Sequence, residues 1–222
     1  MYKDTESLLT LSAKMPEIPP VASLRAKNKL KKREALVEAA MALFEANGFE
    51  ATTVDQIADA AEVSRRTFFR YFPCKEAVVF SDGEERLAAF RALLAQPGPT
   101  PAARVRRACL AVAQAFAEDR EVMLRRRKLM DASPALTAYD HEQDLGWEAA
   151  IADVLRDGAR GEAGRRRAEV WAGAIMGAVR ATMRAWYAGG AKGDLVRIGA
   201  EALDHLEMGM AEAMPMQSAR AR

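Results

Sequence analysis

Only two cysteines, Cys74 and Cys109, occur in the 222 residues. They are too few for a disulfide framework, and a reducing cytoplasm is the expected location. No run of 18 or more apolar residues is present, which excludes an ordinary membrane-spanning helix. The Met1 end does not read as a secretory signal: Asp4 and Glu6 sit where a basic region belongs, and Leu8, Leu9 and Leu11 make too short an apolar core. β-Branched residues are few and no run alternates clearly, so strands are not expected. There is no phosphate-cradling glycine loop and no nucleophile elbow. His141 and His205 have no Cys or second His at ligand spacing, so no metal, cofactor or enzyme activity is expected. Net charge is only +2, from 33 Lys+Arg against 31 Asp+Glu, which argues against a uniformly basic nucleic-acid binder but not against a local basic face.

Hydrophobic residues make up 50% of the chain, enough to offset the entropy of ordering, so a mostly disordered protein is excluded. Residues 1–23 read as a disordered tail, with Pro16, Pro19 and Pro20 each disfavouring helix. Then the character changes. Arg25, Lys27, Lys29, Lys31, Lys32 and Arg33 put six positive charges in nine residues, as a basic arm. Leu36, Ala40, Leu43 and Phe44 follow at helical spacing up to Asn47-Gly48, which predicts a first helix over 31–47. Beyond residue 75 breaks at Gln96-Pro-Gly-Pro99, Ser133-Pro134, Gly158 to Gly164 and Gly189 to Gly193 predict helices at 75–95, 101–118, 120–131, 135–157, 164–188 and 194–213. No internal repeat is present.

Residues 52–76, TTVDQIADAAEVSRRTFFRYFPCKE, carry the chemistry. Thr53 and Gln56 form a capping box ahead of a helix of about eight residues with Val54, Ile57, Ala58 and Ala61 on one face. Ser64 caps a second short helix. Two such helices bury too little alone and must dock on the first, as a three-helix unit. Phe68 and Phe72, four apart, point inward together. Arg65, Arg66 and Thr67 then face outward, with Phe69 and Arg70 beside them. Adjacent arginines at a helix start oppose the helix dipole, so a merely solvated surface explains them poorly. At the start of a recognition helix they reach base edges, Arg to guanine and Thr to a thymine methyl.

Residues 31–80 resemble the DNA-binding domain of TetR-family transcriptional regulators, through Thr53-Val54, Ile57-Ala58, Ala61, Val63-Ser64, Thr67-Phe68, Tyr71-Phe72 and Lys75-Glu76. The resemblance implies a phosphate contact at Thr53 and backbone contacts from Phe69, Tyr71 and Lys75. Two positions depart from the pattern: Glu62 replaces the usual turn glycine, and Phe69 the usual tyrosine. RRTFFRYFP together with RRRKLMDASPAL also resembles an actinobacterial subgroup, some of whose members respond to acyl-CoA or other lipophilic effectors.

The family resemblance assigns the C-terminal helices to dimerisation and effector binding. Candidate pocket walls are Cys109, Val112, Phe116, Leu129, Met130, Trp147, Ile151, Trp171 and Ile175, although a filled core explains any one of them equally well. Candidate dimer-interface residues are Val179, Met183, Trp186, Leu203, Leu206 and Met210, which would form half of a four-helix interface. The run Arg125 to Lys128 wraps a helix and is expected mostly in solvent, the alternative being a site for an anionic head group such as a CoA phosphate. A thiol switch would need Lys75 to lower the pKa of neighbouring Cys74.

The expected fold is all-α: a helix-turn-helix domain with basic arm over 24–76, an effector-binding and dimerisation domain over 77–214, and a disordered end over 215–222. The expected function is a homodimeric regulator of a palindromic double-stranded DNA operator, acting as a repressor released by a small lipophilic effector, with no membrane partner. The rival reading is a helical small-molecule binding protein with vestigial DNA contacts.

Overall fold

The computed structural model describes residues 24–157 and 161–209, and of residues 24–27 the backbone alone. The expectations for the two chain ends, for the Arg25 and Lys27 side chains and for Met210 lie outside it. Among the described residues there are ten helices and no strand.

Helix α1, Leu24–Asn47, starts a full seven residues before the expected Lys31. The basic segment is therefore a continuous helical extension of α1 and not a separate arm. Lys and Arg are good helix formers, and no proline interrupts them after Pro20. Leu36, Ala40 and Phe44 form its buried stripe. Gly48 ends the helix at φ 85°. The buried Thr52 hydroxyl donates to the Gly48 carbonyl at 2.8 Å, closing the end of α1.

Helix α2, Val54–Ala60, begins with the expected capping box: Gln56 N–H donates to Thr53 Oγ1 at 3.2 Å, and Thr53 N–H donates to Gln56 Oε1 at 2.8 Å. Helix α3, Arg65–Tyr71, is capped by Ser64, whose hydroxyl accepts from Thr67 N–H at 3.1 Å. The turn between them puts Glu62 at φ 52°, the conformation that glycine adopts without penalty.

The expected helix over 75–95 is two helices, α4 at Glu76–Val79 and α5 at Gly83–Ala95. Phe80 is buried and stacks on Tyr139 with centroids 5.4 Å apart, and Ser81-Asp82-Gly83 supplies the turn before α5. Helices α6 (Pro101–Glu118), α7 (Arg120–Ala132), α8 (Pro134–Leu155), α9 (Gly161–Ala188) and α10 (Leu195–Met208) complete the order. Thr100-Pro101 and Ser133-Pro134 supply N-cap and first-turn proline for α6 and α8, so these prolines begin helices as well as separating them.

Three apolar clusters hold the helices. The first joins Phe44, Ile57, Phe68, Phe72 and Phe80 of the N-terminal helices to Leu129 of α7 and Leu136 of α8. The second packs α5, α6, α8 and α9 through Phe90, Val105, Ile151 and Met176. The third gathers Met123, Trp186, Ala191 and Leu195.

Replacing Glu62 by Gly removes the left-handed strain at the cost of a more flexible unfolded chain. A net gain of about 0.5–1 kcal/mol is expected in urea unfolding. A loss of stability would show that the Glu62 side chain outweighs its backbone strain.

Candidate nucleic-acid interface and effector cavity

Phe68 and Phe72 are buried with centroids 5.9 Å apart, so α3 presents its other face to solvent. Arg65, Arg66, Phe69 and Arg70 are exposed there, and Thr67 and Tyr71 half-buried. Arg65 is not free: its Nη1 donates to both Asp55 carboxylate oxygens at 2.9 and 2.8 Å, and it lies 5.4 Å from the Phe69 ring centroid. Arg66 forms no ion pair among the described residues. Phe69 is 45% exposed, a high value for an aromatic, beside Arg65 and edge-on to Phe68. Arg70 lies over Tyr71. The Ser64 and Thr67 hydroxyls are 3.0 Å apart at the exposed start of α3.

Lys29, Lys31 and Lys32 are exposed on the α1 extension. Arg33 behaves differently from its neighbours. It donates to the Ser81 carbonyl, pairs with Glu85 at 3.3 Å and lies 5.6 Å from the Phe72 centroid, which ties α1 to the α4–α5 turn. Lys75 is also turned inward, donating to the Phe49 and Thr52 carbonyls at 2.7 and 2.9 Å over the Phe49 ring. Burial raises the Cys74 thiol above its ordinary pKa, contrary to the lowering a thiol switch would need. Cys109 is pushed up to about 12 by burial.

A cavity of about 430 Å³ lies between α5, α6, α7, α8 and α9. Of the nine expected wall residues, Cys109, Val112, Phe116, Met130, Trp147 and Ile151 line it. Leu129 is in the first core cluster, and Ile175 is packed against the second. Trp171 is 44% exposed, with Val170 beside it at 70%. Val179 and Met183, expected at a dimer interface, line the cavity. Trp186 is 2% exposed, its indole N–H donating to the Gly193 carbonyl at 2.9 Å, and Leu203 is buried too; both are protomer core, not interface. Leu206 is half-buried on α10. The two expectations for α9 are thus exchanged: its C-terminal half faces the cavity and core, and Trp171 nearer its start faces outward.

The cavity lining is partly apolar and partly charged. Glu84, Arg86, Arg126, Arg127, Asp131, Asp140, Asp144, Arg180 and Arg184 supply the charged part. Arg180 pairs with Asp144 at 3.3 Å and Arg127 with Asp131 at 2.6 Å. Burial, and after it the neighbouring Asp144, push Asp140 up to about 6 against the pull of Arg126, His141 and Arg127. The run Arg125 to Lys128 is therefore divided: Arg125 pairs with Glu45 of α1 at 2.7 Å, Arg126 and Arg127 face inward, and Lys128 is exposed.

Residues 36–81 match the family described as bacterial regulatory proteins, tetR family, and residues 99–211 match the MftR C-terminal domain. The chain belongs to the TetR family of transcriptional regulators. A protein named as a mycofactocin biosynthesis transcriptional regulator, MftR of Mycobacterium tuberculosis, is 34% identical over 120 residues, 53% of this chain and 61% of its own length. Thermus thermophilus FadR, a TetR-family repressor solved with lauroyl-CoA, is 30% identical, with 86% of this chain and 98% of that one covered and a TM-score of 0.53. Bacillus subtilis FadR, solved with stearoyl-CoA, shares the fold at 19% identity and a TM-score of 0.54, over 78% and 96% of the two chains.

Within this TetR-family chain, sequence patterns missed the links between the helix-turn-helix and α7–α8. Arg125 to Glu45 is one, and Ser133, whose hydroxyl donates to Glu50 at 2.6 Å, is another. Both pair residues 80 or more positions apart, beyond any local period.

The raised pKa of Asp140 has a consequence for stability. The favourable protonated form is present below the unfolded value near 4 and is lost as pH rises through about 6. Asp140→Asn is expected to stabilise the protein by about 1–2 kcal/mol at pH 8, allowing for solvent screening, and by almost nothing at pH 3.5. Equal thermal shifts at both pH values would contradict this.

Proposed function

We propose that this chain is a cytoplasmic, homodimeric repressor that binds a palindromic operator and is released by an amphipathic, acyl-type effector. The observation that carries the reading is that α7 serves two sites. It walls the cavity through Met123, Arg126, Arg127 and Met130, and it packs on and ion-pairs with the DNA-binding helices through Leu129 and Arg125. A ligand that alters α7 thereby alters the placement of α3, which needs differential affinity for two states.

Arg66, Arg70, Thr67 and Phe69 enter the major groove in this reading, and Arg65 joins them by exchanging Asp55 for a base. Thr53 and Ser64 meet phosphate at the helix starts, where free N–H groups favour anions. Lys29, Lys31 and Lys32 continue along the backbone from α1. Lys75 acts mainly by bracing Phe49 and Thr52. The cavity volume of about 430 Å³ falls in the range of small-molecule sites, about 300–1,000 Å³. The lauroyl-CoA held by the Thermus thermophilus relative supports an acyl chain as its occupant. The second chain is placed against the exposed Val170 and Trp171 of α9. Domain limits near residues 76 and 77 follow the change from DNA-binding to cavity helices.

Binding to the DNA upstream of the chain's own gene is the direct test. Arg66→Ala is expected to weaken it by about 1–3 kcal/mol, as for one lost bidentate base contact. Unchanged affinity would remove Arg66 from the recognition surface. Trp171→Glu is expected to give monomers in light scattering and to weaken operator binding at least tenfold, because two half-sites need two linked helices. A dimer of unchanged stability would place the interface elsewhere.

A further inference from the structure

Three arginines that line the cavity each lie against an aromatic ring: Arg86 over Phe116 at 4.8 Å, Arg126 over Phe80 at 5.2 Å and Arg127 over Tyr187 at 5.4 Å. A ring face restricts the swing of a planar guanidinium without using its N–H donors. Two of the three are held from behind by one carboxylate that does not line the cavity. Arg126 Nη2 donates to Asp82 at 2.6 Å, and Arg86 Nε donates to Asp82 as well, while its Nη2 reaches Asp119 at 2.8 Å. Burial alone would raise the Asp82 carboxyl, but Arg126 and Arg86 outweigh it and hold Asp82 below its ordinary value.

Asp82 ends the turn between α4 and α5. Arg126 Nε also donates to the carbonyl of Val79, the last residue of α4, at 3.1 Å, and Arg33 of α1 closes on the Ser81 carbonyl. A single turn therefore gathers α1, α4, α5 and α7, and its balancing charges come from side chains that also face the cavity. Asp140 also lines the cavity; with its carboxyl raised to about 6 it is mostly ionised at neutral pH, and an anion entering beside it would favour its protonation.

We infer that the Arg86–Arg126 part of the cavity wall is an anion subsite, at which the acidic head of an apolar ligand competes with Asp82 and so loosens the turn that carries α4 and the DNA-binding helices. This rests on reading the cavity as the effector site. The anion is a carboxylate or a phosphate, from a free fatty acid or from the CoA part of its thioester. Asp82 acts as a positioning residue: it touches no ligand, and it sets how firmly the arginines hold the turn.

The test titrates wild type, Asp82→Asn and Arg126→Gln with laurate, lauroyl-CoA and 1-dodecanol by calorimetry. Asp82→Asn removes the competitor, so the anionic probe is expected to bind about tenfold tighter while dodecanol changes less than about twofold. Arg126→Gln is expected to weaken the anionic probe about tenfold, and it carries the test if Asp82→Asn does not fold. A shift confined to laurate assigns a carboxylate, and one confined to lauroyl-CoA a phosphate. By linkage, the loss of operator affinity that the anionic probe causes in wild type shrinks in Asp82→Asn. Binding of dodecanol with no anion-specific shift in either variant overturns the subsite and leaves the lipophilic effector standing. Failure of all three probes to bind wild type overturns both.

Discussion

A seven-residue helix in water does not hold itself together, because nucleation fixes several residues before any hydrogen bond is gained. Both α2 and α3 are that short, so their existence depends on burial against something longer. Phe68 and Phe72 provide it, sinking into a cluster that also holds Phe44 of α1, Leu129 of α7 and Leu136 of α8. The recognition helix is thus positioned partly by the helices that enclose the cavity. A rearrangement of α7 cannot stay local, since packed cores shift between discrete arrangements and do not deform smoothly. Much of the link between the two ends of the molecule already lies in the folding requirement of α2 and α3.

The cations of this near-neutral chain are divided between two uses. Ten helices among the described residues leave many terminal carbonyls without partners, and no sheet is there to absorb them. Arginine fills that role repeatedly. Arg104 donates to Leu94, Arg107 to Leu93, Gln96 and Pro97, and Arg120 to Gly190 and Ala191. Arg33, Lys75 and Arg126 do the same around the α3–α5 region. These cations act inside the fold. The basic residues left on the α1 and α3 surface, among them Lys29, Lys31, Lys32, Arg66 and Arg70, form a confined positive face that the whole-chain total of +2 conceals.

Local chemistry was legible. The capping box at Thr53, the Ser64 cap, the inward Phe68–Phe72 pair and the prolines at 101 and 134 all depend on residues within four positions of one another. The family resemblance marked Glu62 as standing where a turn glycine is usual, and the structure holds that residue at positive φ. The helical extension of α1 was not, since a basic run suits a solvated helix and a solvated coil equally. The break between α4 and α5 was legible in Ser81-Asp82-Gly83, a turn signal that divides the helix expected over 75–95; the stacking of Phe80 on Tyr139, 59 residues away, was not.

The exchange along α9 shows where periodicity stops being informative. Trp171 and Trp186 are fifteen residues apart, which at about 100° per residue leaves them only about 60° apart around the axis. A stripe cannot tell them apart, because it gives direction around the helix and nothing about what covers each turn. Near Trp186 the chain doubles back through Gly189 to Gly193, and α10 and Met123 close over the indole. Near Trp171 the same broad side of the helix stays open. One apolar stripe therefore serves two environments in sequence along a single helix. The cavity is confined to the half of α9 whose far end is closed, and only the open half retains large apolar surface that a second chain could cover.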